Sequence, residues 1–192
     1  MKADRKIEAE KIHIVNIRTL KGNIECSADT DVNKVVGHLF GFDLKTALNV
    51  NGCMMGLKLQ TDIKAVDKKG EELPITGSYT HEMIFKIENL SDFIEEANGE
   101  NKIDASLGST LASIIYSTVR GLIYGRSQGT SLGVVVLPVI APLKLMGIQD
   151  QIERQNDRDL ARNEMKKGVK KNQKTDKTRG NTEGLNKKQK KS

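Results

Sequence analysis

An α+β layer fold is what this 192-residue sequence predicts, with strands first and helices after them, gathered on one face of the sheet. Three observations carry that expectation. Residues 57–65 and 79–87 alternate apolar and polar side chains at the period of a half-buried strand. Residues 107–123 carry apolar side chains at helical spacing. Residues 132–146 are an apolar run that Pro138 and Pro142 keep from continuing as a helix or a central strand.

The chain opens on Lys2, Arg5 and Lys6 with no apolar stretch after them, so residues 1–10 read as a flexible start without a secretory signal. Ile12 and Ile14 alternate with polar neighbours before the phase moves to Val15 and Ile17, which predicts a strand with a bulge. Ile24, Cys26 and Ala28 alternate in the same way. Residues 29–51 are mixed and read as a long connection with a short strand near 48–50. Leu57, Leu59, Thr61, Ile63 and Ala65 then face one way, and Lys58, Gln60, Asp62 and Lys64 the other. A turn follows at Asp67, Lys68, Lys69 and Gly70. Beyond it Tyr79, His81, Met83, Phe85 and Ile87 alternate with Ser78, Thr80, Glu82, Ile84 and Lys86. These last two runs make an antiparallel pair.

The helix rests on Leu107, Leu111, Ile114, Ile115, Val119, Leu122 and Ile123. Beside that stripe runs a second one of small residues, Ser109, Ser113, Ser117, Gly121 and Gly125, of the kind that lets another backbone approach closely. Gly121 costs the helix roughly 1 kcal/mol relative to Ala, which packing must offset. A helix contacted around most of its girth exceeds what one small subunit buries. Ile115, Val119, Gly121 and Leu122 are therefore assigned to a contact between copies. The hydrophobic content of 37% and aromatic content of 4% are also lean for a monomer. The run 132–146 is uncharged until Lys144 and is too short for a membrane span, which takes about 20 apolar residues. It either packs as core or walls a groove that admits another chain.

Catalytic patterns are few. Gly125, Arg126, Ser127, Gln128 and Gly129 spell G-x-S-x-G, but a nucleophile elbow needs a strand before the serine and a helix after it. Here a helix precedes and an apolar loop follows, so the expectation is a helix end with Gly125 or Gly129 at positive φ. His13, His38 and His81 lie far apart, with no metal-like spacing, and His81 is expected as a hydrogen-bonded core residue. The glycines of 37–41 and 129–133 lack the Gly-Lys-Ser/Thr of a phosphate cradle. Cys26 and Cys53 match no ligand or redox motif and read as reduced thiols in the cytoplasm. The acceptor pattern at residues 89–91 has no meaning outside the secretory route. The expectation is a protein that is not an enzyme and has no cofactor and no metal.

Charge is unevenly placed. Residues 151–192 hold 14 Lys/Arg against 6 Asp/Glu, a net +8, so residues 1–150 carry −2 of the overall +6. This segment reads as charged and helix-permissive at first, then disordered and basic. It suits a sequence-independent, salt-dependent contact with nucleic acid or the ribosome, or a solubilising end. No aromatic residue stands among its lysines for base stacking.

Residues 107–146 also resemble the closing region of the SecB family of export chaperones. The resemblance is carried by Leu107, Gly108, Ile114, Ile115, Arg120 and Ile123, a Gly/Ser break, then Leu137, Pro138, Ile140 and Pro142, with Ala141 where Asn is common. It covers about forty residues, and the N-terminal half agrees in strand pattern only. The resemblance implies a four-stranded antiparallel sheet with a long helix, an apolar Pro-containing loop and a second helix on one face, spanning residues 11–150. It further implies a homotetramer built as a dimer of dimers, and an ATP-independent holdase that binds unfolded or precursor polypeptides. The groove would be walled by Leu132, Val135, Leu137, Pro138, Val139, Ile140, Pro142 and Leu143, with Tyr116 and Tyr124 as aromatic contacts. A flexible C-terminal segment in that family contacts the SecA motor, and the basic character of this one departs from the usual acidic form. A chaperone dedicated to one partner, such as an antitoxin, is the narrower variant.

Overall fold

Alternating side chains generate four long strands, β1 (Ile12–Cys26), β2 (Gly37–Asn49), β3 (Met54–Val66) and β4 (Glu72–Ile87). They form one antiparallel sheet in the order β1-β4-β3-β2. The computed structural model describes residues 6–97 and 100–147. The expectations for residues 1–5 and for the charged segment 151–192 lie outside them.

The two central strands follow their sequence pattern strictly. Met55, Leu57, Leu59, Thr61, Ile63 and Ala65 of β3 are buried together with Ile75, Tyr79, His81, Met83, Phe85 and Ile87 of β4. Their alternate neighbours form a polar outer face, where Arg18 pairs with Glu82 and the Ser78 hydroxyl donates to Asp62 Oδ1 at 2.8 Å. The hairpin between them closes at the expected turn. Asp67 Oδ1 accepts from the Lys69 and Glu71 amides, and Gly70 takes φ +80°, a backbone state cheap only for glycine. The β1–β4 register slips between Ile14 and Asn16, which is the bulge foreseen at Val15, and again between Thr19 and Lys21.

Two elements depart from expectation. Residues 37–49 are a full strand, with a continuous ladder from Gly37–Val66 to Asn49–Met54, where only a short strand near 48–50 was foreseen. Gly37, Gly41 and the outward Leu39 and Ala47 blur the alternation, and the partner strand supplies the order that local pattern lacks. A small hairpin, β5 (Ile94–Ala97) with β6 (Glu100–Ile103), was not anticipated.

The long helix α1 (Ala105–Ser127) starts where Asp104 Oδ1 accepts the Ser106 amide at 2.8 Å, an N-cap that satisfies one of the orphan donors. Leu107, Leu111, Ile115, Val119 and Ile123 face inward, and the helix packs across β3 and β4. After it the chain runs as an irregular loop to α2 (Pro142–Leu145), a single turn with Pro142 at its start, where a missing amide costs nothing. This is the α+β arrangement the sequence predicts, with helices on one face.

Two glycines let this loop and α2 settle. A Cβ on Gly77 of β4 would lie 2.7 Å from Leu132 Cδ1, so the bare backbone is the seat for that leucine. A Cβ on Gly108 would lie 2.5 Å from Met146 Cε, so the residue that closes α2 presses on the first turn of α1.

Candidate functional site

The inner face of β2 is only partly covered. His38, Phe40, Phe42 and Leu44 are half-buried, whereas the corresponding rows of β3 and β4 are closed over by α1. Three of these residues form an aromatic ladder that continues onto the helix. Ring centroids are 6.1 Å apart for His38–Phe40 and 6.3 Å for Phe40–Phe42, and Phe42 meets Tyr116 of α1 edge-on at 5.5 Å. β2 is also an edge of the sheet, so one line of its backbone donors and acceptors has no strand beside it among the described residues.

The loop after α1 is pinned to this region at several points. His38 Nε2 donates to the Leu132 carbonyl at 2.8 Å, and the Tyr116 hydroxyl donates to the Pro138 carbonyl. Ser127 Oγ accepts the Val135 amide at 3.0 Å. With the backbone so held, the loop side chains divide sharply. Leu132, Val135 and Leu137 have no exposed surface and fill the core. Val134, Val136 and Val139 point out, at 58%, 53% and 83% exposure.

Between the loop and the helix lies an open cavity of about 290 Å³. Its helix wall is Ser113, Tyr116, Ser117 and Arg120, at i, i+3, i+4 and i+7 on one face of α1. Its other wall is Val139, Ile140, Pro142 and Leu145. The phenol of Tyr116 is pushed above its ordinary pKa by burial, against the opposing pull of the Arg120 charge.

The structure separates the residues expected in a client groove. Tyr116, Val139, Ile140 and Pro142 meet at the cavity, while Leu143 is half-buried in α2 and Pro138 is exposed in the loop before it. Leu132, Val135 and Leu137 hold the loop down and present no surface to a partner. Tyr124 is exposed near the far end of α1, away from the cavity wall. Of the residues assigned to a contact between copies, Ile115 and Val119 lie in the protomer's own core, because the inward phase of α1 falls on them. Leu122 is half-buried, and Gly121 is exposed with open space around it. The aromatic row of β2 escaped the sequence reading. The signal was the i, i+2 spacing of His38, Phe40 and Phe42.

The G-x-S-x-G pattern is a helix end, as expected. Ser127 is fully buried, its hydroxyl donates to the Tyr124 carbonyl at 3.2 Å, and Gly129 takes φ +74°. No group of three or more metal-ligating side chains occurs among the described residues. No helix among them is long and apolar enough to cross a membrane.

No protein-family model matches the sequence, and no curated protein matches it significantly. Solved structures do. The Mycobacterium tuberculosis Rv1957 SecB-like chaperone, in complex with a ChAD peptide from the Rv1956 HigA1 antitoxin, aligns with a TM-score of 0.50 at 11% identity. The alignment covers 69% of this chain and 92% of that one. A Streptococcus agalactiae protein of unknown function aligns with a TM-score of 0.37 at 13% identity, over 67% of this chain and 97% of that one. The sheet, the long helix, the irregular loop and the short second helix together make a SecB-like fold.

Proposed function

We propose that this protein is an ATP-independent chaperone that holds apolar stretches of unfolded polypeptide along β2, beneath the loop that follows α1. The observation that carries the reading is the incompletely covered aromatic row of His38, Phe40 and Phe42 beside the outward Val134, Val136 and Val139. Apolar surface left in water favours whatever covers it, by roughly 25 cal/mol per Å². An unfolded chain offers such cover without a fixed sequence. The free edge of β2 adds backbone hydrogen bonds that are indifferent to client side chains. Binding only the non-native state lowers its free concentration by mass action and consumes no nucleotide.

The likeness to a SecB-like fold supports a polypeptide partner, and the antitoxin peptide held by the mycobacterial protein favours a second form of the same reading. In that form the groove serves one dedicated client such as an antitoxin. In the general form it delivers precursor polypeptides for export from the cytoplasm, as a tetramer, with SecA as receiving partner.

The test is suppression of aggregation. A denatured, slow-folding client should precipitate more slowly with the purified protein present, and the Val139→Ser, Ile140→Ser double variant should protect about tenfold less well. Losing two apolar contacts of this kind weakens binding by at least ~1.4 kcal/mol, which is a factor of ten. A client that precipitates at its unassisted rate ends the proposal. A double variant that changes the assembly state instead moves those two residues from the groove to a contact between copies.

A further inference from the structure

Among the described residues, Arg120 is the one charged residue lining the cavity between α1 and the chain that follows it. Arg120 occupies the same face of α1 as Ser113, Tyr116 and Ser117, opposite Val139, Ile140, Pro142 and Leu145, and its side chain is half-buried. The other polar groups of the wall are engaged within the chain. The Ser113 hydroxyl donates to the Ser109 carbonyl at 2.8 Å, the Ser117 hydroxyl to the Ser113 carbonyl, and the Tyr116 hydroxyl to the Pro138 carbonyl. Among the described residues, no carboxylate pairs with Arg120. A planar donor fork, partly withdrawn from water and without an anion, is complementary to a carboxylate.

We propose that this cavity seats a bulky apolar side chain of a client segment, while the Arg120 guanidinium takes the carboxylate of an Asp or Glu next to it in that segment. The inference rests on the chaperone reading above and specifies which segments the groove prefers. The 290 Å³ cavity and its Tyr116, Ile140 and Leu145 walls suit one large apolar group.

Three peptides with acetylated and amidated ends, and hence no terminal carboxylate, test it with the full-length protein. Each is a Ser/Gly heptamer with a central Phe, followed by Glu, Gln or Lys, and affinity is read by calorimetry. The Glu peptide should bind about tenfold more tightly than the Gln peptide at low salt, with Lys weakest, as one charge-assisted hydrogen-bonded pair allows. The margin should shrink at high salt. Arg120→Gln should bring the Glu and Gln peptides to equal affinity, Arg120→Lys should retain part of the preference, and Arg120→Glu should favour the Lys peptide. Unfolding midpoints of the three variants should match that of the parent chain, which separates lost preference from lost fold. Equal affinity for all three peptides in the parent chain overturns this inference and leaves the chaperone reading standing. A preference that survives Arg120→Gln overturns it too. Failure of every peptide to bind, together with failure to protect a denatured client, overturns both.

Discussion

His81 is a histidine buried to 1% exposure whose two ring nitrogens have no partner among the described residues. It was expected to be hydrogen-bonded, as buried polar groups usually are. Instead it stacks on Tyr79 at 6.3 Å, with Arg126 the nearby cation and Thr61 Oγ1 similarly unpartnered. Burial lowers its pKa below the ordinary 6.5, and the Arg126 charge lowers it further. The ring is therefore neutral in the folded chain at pH 7. As pH falls through 6.5, the unfolded chain takes up a proton that the folded core resists, so stability declines from there down to the depressed folded value. Denaturant unfolding between pH 7 and pH 5 should show this loss. His81→Phe, which keeps the ring stack, should flatten it and should be at least as stable at pH 7, because an unpartnered buried polar group costs about 1–3 kcal/mol. An unchanged acid slope in the variant would sink the assignment.

At the scale of elements, the loop between α1 and α2 owes its shape to contacts distant in sequence. Leu132 sits on bare Gly77, its carbonyl accepts from His38, and Val135 binds Ser127 Oγ. Leu132 is thus an anchor, and its contribution is measurable as packing. Gly77→Ala should destabilise the fold by about 1–3 kcal/mol, because the added methyl overlaps Leu132 in a closed core. Leu132→Ala costs stability by itself, through the cavity it leaves. Combined with Gly77→Ala it should cost less than the sum of the two. A double-mutant cycle read by thermal unfolding checks this, and strict additivity would show that the two residues do not share a seat.

For the whole molecule, the prediction is assembly through apolar surface left exposed on one protomer. Ile14, Val15, Ile17 and Leu20 are exposed on β1, the edge opposite β2, and Gly121 and Gly125 leave open space along α1. A free edge strand with apolar side chains is a template for pairing, and contiguous exposed patches of this kind mark interaction surfaces. Light scattering at micromolar concentration should therefore give a multiple of the 21.2 kDa chain mass. Val15→Lys with Ile17→Lys should shift that mass downward, since charge at an exposed edge opposes pairing. A parent chain that runs as a stable monomer would remove the basis for assembly through β1 and α1.

Much of this was legible in the residues themselves. The alternation of β3 and β4, the bulge at Val15, the turn at Gly70, the span of α1 and the helix end at Ser127 depend on neighbours a few positions away, and local periodicity records such constraints. The sequence by itself therefore determined the fold class and the elements that rest on local pattern, β3, β4 and α1. Only the tertiary structure decided that residues 37–49 form a complete strand, that Leu132, Val135 and Leu137 point inward while Val134, Val136 and Val139 do not, and that Arg120 faces a cavity. Those outcomes are set by ladders and seats contributed from far along the chain. A run of apolar residues broken by prolines has no period of its own, and which of its side chains meet water depends on the surface it lands on.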